Sequence, residues 1–193
     1  RTDILTGTNE FPDIHESKPA VLDVAPVTPP REDDLPISFA ALPRMRLAEP
    51  FEVLRDASDR QLAAAGTRPK IFLACLGSQA DFTARASFAK NFFEAGGIEA
   101  ASGEGNASAL GAAFATSGAA LACLCGSDKA YETQAAAAAA ALKASGAQHI
   151  YLAGQANQNE QAYRNAGIQT FIYSGCDALS LLGVAHELLG LGR

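Results

Sequence analysis

From residue 71 onward the sequence alternates five short apolar runs with five segments of helical periodicity. The apolar runs predict strands at 71–76, 98–102, 119–125, 149–153 and 170–173, and the segments between and after them predict helices at 79–95, 107–117, 128–145, 158–166 and 178–189. Strands that alternate with helices of this length form a parallel sheet through right-handed crossovers. The pattern therefore predicts an α/β domain with helices on both faces of the sheet.

The periodicity of the helical segments supports the same fold. Phe82, Ala86, Ala89 and Phe93 recur at the spacing of one helix face, as expected for a helix packed on a sheet. The seven alanines at 135–141 also indicate a helix, because alanine has the highest helix propensity. Five βα units favour a flavodoxin-like, doubly wound sheet with strand order 2-1-3-4-5.

The region before this domain has a different composition. Eight of the nine prolines fall within the first 50 residues, so we expect an extended Pro-rich linker over 15–49. Its apolar residues, among them Val21, Ile37 and Phe39, suggest a belt that lies on a partner surface. Helical spacing then predicts a connecting helix over 50–66, with Pro50 in its first turn and Gly66 at its end. The α/β domain takes 67–193.

Composition excludes several function classes. The net charge is −6 and basic residues do not cluster, so nucleic acid is not an expected partner. No window reaches the 18 to 20 or so apolar residues that a membrane span needs. The four cysteines lack paired spacing and follow no secretory signal, so we expect a soluble, cytoplasmic protein. The chain begins with Arg1 rather than Met, and we expect it to be part of a longer protein.

Ligands of open α/β sheets bind at the carboxyl ends of the strands. The segments there are 77–84, 103–106, 126–128, 154–157 and 174–177, which contain no histidine and only the carboxylates Asp81, Glu104, Asp128 and Asp177. No tuned acid–base pair is evident. We interpret Asp128 and Asp177 as helix N-caps, since Asp is favoured at that position.

Other candidate groups have plainer interpretations. Cys123 and Cys125 face the same side of a strand and can contribute to a metal site, but without neighbouring ligands core packing is the better hypothesis. His186 lies in the sequence HELLG, which lacks the second histidine of a zinc protease, and we expect it at the surface. No glycine-rich phosphate-binding motif is present.

The stretch GSQADFTA, residues 77–84, follows the first strand. A cofactor loop and a direct start of the next helix are both compatible with this position. Ser78 followed by Asp81 approximates a capping box, which favours the helix start.

Two stretches resemble methylmalonyl-CoA mutases. RTDILTGTNEFPDI resembles the segment that closes their substrate-binding barrel, so the resemblance implies that 1–14 are the end of a barrel-like domain; residues 69–190 resemble their cobalamin-binding domain. In cobalamin-binding members the first loop carries Asp-x-His-x-x-Gly, whose His coordinates cobalt and whose Asp orients it. Aligned from Gly77, these positions hold Gln79, Asp81 and Ala84.

The resemblance places further changes at the other strand ends. A family serine at the end of the third strand falls on Leu124, and paired glycines after the fourth strand become Gly154-Gln155, whereas Gly175 is retained. A domain so altered resembles that of the small, non-catalytic subunit of the bacterial heterodimeric mutases. It implies a vestigial domain that serves assembly and stability and binds neither metal nor cofactor. Adenosylcobalamin and the interconversion of methylmalonyl-CoA and succinyl-CoA would then belong to the large catalytic subunit.

Two alternatives remain open. The domain can be an isomerase domain that binds cobalamin with non-standard ligation, without a protein histidine. It can also be a small-molecule sensor that uses the polar strand ends.

Overall fold

The computed structural model describes residues 4–17, 20, 22–25 and 45–191. The regular elements of these residues are α1 (Glu49–Ala65), β1 (Lys70–Cys75), α2 (Gln79–Ala95), β2 (Glu99–Glu104), α3 (Ala107–Ser117), β3 (Leu121–Cys125), α4 (Asp128–Ala144), β4 (His149–Ala153), a 3₁₀ turn (Asn157–Asn159), α5 (Glu160–Asn165), β5 (Thr170–Ile172) and α6 (Ala178–Leu188). Every predicted strand and helix is therefore confirmed, with ends that agree to within two residues.

The five strands form one parallel sheet in the order β2-β1-β3-β4-β5, so the predicted topology is confirmed. From β1 the chain crosses to β2 on one side and then to β3 on the other. The switch point of the sheet therefore lies between β1 and β3, at the carboxyl ends of these strands.

Each face of the sheet has its own apolar core. On one face, α2 and α6 contribute core residues that include Phe92, Phe93 and Leu182. On the other, α3 and α4 contribute core residues that include Leu110 and Leu142. Cys75, Cys123, Cys125 and Cys176 are all buried free thiols, which confirms that Cys123 and Cys125 belong to the core.

The alanine-rich helix α4 packs closely on α3. Ala135, Ala138 and Ala139 are buried, and a Cβ added at Gly111 of α3 would stand 2.9 Å from Ser145 Oγ. Small side chains thus allow a close approach at which each contact buries little apolar area.

Helix α1 has the predicted boundaries to within one residue. Pro50 lies in its first turn, and Gly66 ends it with φ +74°. The described residues of the Pro-rich segment, 15–17, 20, 22–25 and 45–48, have neither helix nor strand geometry. The remainder of the predicted linker, including Val21, Ile37, Phe39 and Leu42, lies outside the described residues.

Two predictions about single residues are wrong, and one is confirmed. Asp177 caps α6 by accepting a hydrogen bond from Ser180 N at 3.1 Å, as predicted. Ser127, not Asp128, caps α4, and Asp128 is the first helical residue. His186 is buried rather than at the surface, and its Nε2 forms a 2.8 Å hydrogen bond with Gly96 O. No helix among the described residues is both long and apolar enough to cross a membrane.

Candidate functional site

The switch-point crevice is bounded by the loop after β1 and the loop after β3, and Asp81 lies in it. Asp81 is the third residue of α2, and Ser78 is the N-cap, so the predicted capping box is formed. Asp81 Oδ2 accepts hydrogen bonds from Ser78 N at 2.9 Å and from Ser78 Oγ at 2.6 Å. Only three residues, Leu76, Gly77 and Ser78, separate β1 from α2, so the helix starts at once after a short turn.

The second carboxylate oxygen of Asp81 reaches across the crevice. Oδ1 accepts a 2.9 Å hydrogen bond from Ser127 Oγ, which itself accepts one from Ala130 N and so caps α4. The carboxylate thus lies between the positive ends of α2 and α4. The hydrogen bonds from Ser78 and Ser127 lower the pKa of Asp81, so the group is ionised at neutral pH and is a poor general base.

Gly77 is required by this closed arrangement. Its φ is +84°, and an added Cβ would stand 2.8 Å from Asp81 Oδ2. Gly77, which the family resemblance gives as a retained position, therefore has a structural reason in this chain.

Arg85 spans the same crevice one turn further along α2. Its Nη1 donates to Gly126 O at 2.8 Å and its Nη2 to Asp128 Oδ1 at 2.6 Å. The guanidinium lies 5.0 Å from the centroid of the Tyr131 ring, within cation–π range. A Cβ added at Gly154 would stand 3.2 Å from Arg85 Nη1, so the arginine also fills the space beside the loop after β4.

Tyr131 fills the crevice from below. Its hydroxyl lies 3.0 Å from Leu124 O and 2.8 Å from Ala153 O, and it accepts a hydrogen bond from Gly126 N at 3.0 Å. Burial raises the pKa of this phenol far above its usual range. The side chain therefore joins the carboxyl ends of β3 and β4 as a neutral hydrogen-bonding group.

The structure brings only some of the predicted site residues together. Asp81 lies in the crevice, with Gly77 against its carboxylate and Gly154 beside Arg85. Gln79 and Ala84 are exposed on the first turns of α2. Leu124 is fully buried in the core on the side of α3 and α4.

The other two predicted site residues, Gln155 and Gly175, lie in the loops after β4 and β5. Gln155 lines an open polar cleft of about 650 Å³ beside Asp128, Glu132 and Asn159. Gly175 is exposed, with no atom within 4 Å of an added Cβ.

The arrangement supplies no ligand set for a metal. Among the described residues no group of three or more His, Cys, Asp and Glu side chains can hold a metal ion. His149 begins β4, at the edge opposite the crevice, and His186 is buried in α6. Both oxygens of the carboxylate at the crevice are engaged by serines. Chemically, the network can hold two helix starts together, and it lacks the paired groups of acid–base catalysis.

Sequence reasoning missed Arg85, Ser127 and Tyr131. Ser127 carried a signal, because Ser is as favourable an N-cap as the neighbouring Asp128. Arg85 carried none, since its partners Gly126 and Asp128 lie 41 and 43 residues further along the chain.

Comparison with known proteins identifies relatives over nearly the whole chain. The chain is 42% identical over 193 residues to the methylmalonyl-CoA mutase small subunit of Streptomyces virginiae. This alignment covers 99% of the chain and 29% of that protein. The chain is homologous to methylmalonyl-CoA mutase small subunits. The corresponding small subunit of Propionibacterium freudenreichii subsp. shermanii is 34% identical over 196 residues, 98% of the chain and 28% of that protein. The family resemblance found in the sequence is thus confirmed.

The chain spans less than a third of the length of these small subunits. No family model matches it. A solved structure, a cobalamin-binding protein from Desulfitobacterium hafniense DCB-2, is 20% identical with a TM-score of 0.49, covering 72% of this chain and 67% of that one. A likeness this distant does not bear on ligands or function.

Proposed function

We propose that this chain is a non-catalytic part of a methylmalonyl-CoA mutase small subunit, in which the α/β domain is a vestigial cobalamin domain. Its role is to support assembly and stability of a cytoplasmic heterodimer. The large subunit of that heterodimer carries adenosylcobalamin and interconverts methylmalonyl-CoA and succinyl-CoA. The names of the homologous small subunits support the first part of the proposal.

The hydrogen bonds of Asp81 support the proposal that the cobalamin domain is vestigial. The family resemblance places the cobalt-ligating histidine at this position, where the chain has a carboxylate bound by Ser78 and Ser127. An imidazole at the lower face of a corrin needs a free nitrogen and an open loop. Here the side chain is committed to the starts of α2 and α4, so we propose that the chain binds no cobalamin.

Arg85 and Tyr131 support the same conclusion because they occupy space at the switch point. A bound cofactor at the switch point would have to displace a guanidinium held at 2.8 Å by Gly126 O and a hydroxyl held by the ends of β3 and β4. Loss of the contacts of the buried Tyr131 hydroxyl costs about 1–3 kcal/mol for each buried group left unsatisfied. The missing cobalt ligand and the occupied space at the switch point are therefore two independent reasons to expect no bound cofactor.

We further propose the domain organisation that the resemblance implies. Residues 1–14 end a barrel-like domain, 15–49 link it to the connecting helix at 50–66, and 67–193 form the vestigial domain. Helix α1 and the parallel sheet support the last two boundaries.

The proposal is tested by reconstituting the mutase with its large subunit. We expect a stable one-to-one complex by size exclusion with light scattering, and an unchanged kcat when Asp81→Ala is introduced into the small subunit. The matched variant Thr83→Ala, exposed on the next turn, controls for general effects on α2. Failure to associate would contradict the assembly role. A fall in kcat or a loss of bound cofactor with Asp81→Ala alone would show that the crevice takes part in the chemistry.

A further inference from the structure

The amino-terminal arm, residues 4–16, contains a turn held by its own hydrogen bonds. Thr8 N and Asn9 N donate to Leu5 O at 2.9 and 3.0 Å, and Leu5 N donates to Asn9 Oδ1 at 2.9 Å. Asn9 and Ile14 are buried. The arm therefore has a defined shape before its contacts with the rest of the molecule are considered.

Arg55, in the middle of α1, holds this arm on the α/β domain. Its Nη1 and Nη2 donate to Gly7 O at 3.1 Å and Thr8 O at 2.5 Å, and its Nε donates to Ala95 O at 3.1 Å. The planar fork of a guanidinium can serve several carbonyl acceptors at once, and Ala95 adds the negative end of α2. One half-buried side chain thus joins the arm, α1 and α2.

Helix α1 is fastened to the domain by a separate contact. Ser58 Oγ donates to Gly97 O at 2.6 Å and accepts a hydrogen bond from Arg68 Nη1 at 3.1 Å. A Cβ added at Gly97, whose φ is +78°, would stand 2.8 Å from Ser58 Cβ, so helix and loop are in close contact. The position of α1 therefore does not depend on Arg55 alone.

The arm also lies beside α2. A cavity of about 330 Å³ lies between them, lined by residues that include Phe11, His15, Lys90 and Glu94. Arg55 joins two carbonyls of the arm, Gly7 O and Thr8 O, to Ala95 O of the domain through one side chain.

We infer that Arg55 locks the arm and the α/β domain into one rigid unit. Segments joined by a small interface are expected to move relative to each other. Here the hydrogen bonds of Arg55 prevent that motion, so the orientation of the arm is set by α1 rather than by the Pro-rich segment alone. The inference depends on neither the crevice nor the proposed partner.

Hydrogen exchange measured by mass spectrometry on the whole chain tests it. We expect the arm amides of the wild type to be protected, and their exchange to rise about tenfold or more in Arg55→Ala, the factor that one hydrogen bond to a charged group contributes. Exchange in β1 and β3 stays unchanged. Arg55→Lys, which supplies a point charge in place of a fork, should show a smaller rise in the arm and covers the case in which Arg55→Ala does not fold.

Two variants of the same helix serve as controls. Arg60→Ala removes an exposed arginine and should leave the arm as in the wild type. Ser58→Ala should raise exchange in α1 and not in the arm. The inference is overturned by unprotected arm amides in the wild type, by unchanged arm exchange in both Arg55 variants, or by an equal rise in the arm with Ser58→Ala.

Discussion

Tyr131 and Tyr151 are two buried tyrosines whose hydroxyls have opposite hydrogen-bonding states. The Tyr131 hydroxyl contacts Leu124 O, Ala153 O and Gly126 N. The Tyr151 hydroxyl, on a side chain that is 1% exposed, has no hydrogen-bond partner among the described residues. Replacing each by phenylalanine removes one oxygen and preserves the ring, so the pair isolates the value of the hydrogen bonds.

We expect Tyr131→Phe to lower the free energy of unfolding by about 1–3 kcal/mol, the cost of leaving a buried donor unsatisfied. For a chain of this length that corresponds to a fall in Tm of roughly 2–10 °C. Tyr151→Phe leaves no group newly unsatisfied and should be neutral or stabilising.

Urea denaturation followed by circular dichroism measures both variants, with equal m values as evidence that the comparison is valid. Equal losses of stability in the two variants would refute the reasoning. So would a stable Tyr131→Phe, because the hydroxyl could not then be holding the ends of β3 and β4 together.

Three further predictions concern the crevice. Arg85→Ala should lower the free energy of unfolding by about 1–3 kcal/mol, because it loses hydrogen bonds and a ring contact. Asp128→Ala should lower it by less than about 1 kcal/mol, because that carboxylate is 75% exposed. Urea titrations that rank the two variants in reverse would contradict this prediction. Gly77→Ala should destabilise more than Gly118→Ala, since both glycines have positive φ but only the first added Cβ meets an atom, at 2.8 Å; equal Tm values would refute the contact. Asp81, whose pKa is lowered in the folded state, stabilises the fold above the unfolded pKa of 3.8 and loses this effect as pH falls through its folded value. The Tm of Asp81→Asn should accordingly fall less than that of the wild type on acidification below about pH 4, and parallel curves would argue against the depressed pKa.

The fold could be predicted from the sequence because its signals are local and repeated. Each βα unit carries its own apolar run and its own helical face, and five units limit the possible topologies. The end of β2 was placed two residues short, at 102 rather than at Glu104. Gly103 and Glu104 pair with Ala74 and Cys75, but an edge strand tolerates polar residues that composition does not identify as strand.

The crevice could be predicted only where its contacts are close in sequence. Ser78 and Asp81 are three residues apart, so the capping box was evident. The contact from Asp81 to Ser127 spans 46 residues and that from His186 to Gly96 spans 90. Such pairs are set by the way α2, α4 and α6 pack around the sheet, and a single sequence carries no local trace of them.

The most direct measurement of the central claim, that the chain's own side chains close the switch-point crevice, is a cobalamin titration. The chain is titrated with hydroxocobalamin and with adenosylcobalamin, the visible spectrum is recorded, and bound corrinoid is quantified after gel filtration. We predict no saturable spectral change and no retained corrinoid. Tight, stoichiometric binding of either form would contradict the claim, because Asp81, Arg85 and Tyr131 would then have to leave the positions that the structure gives them.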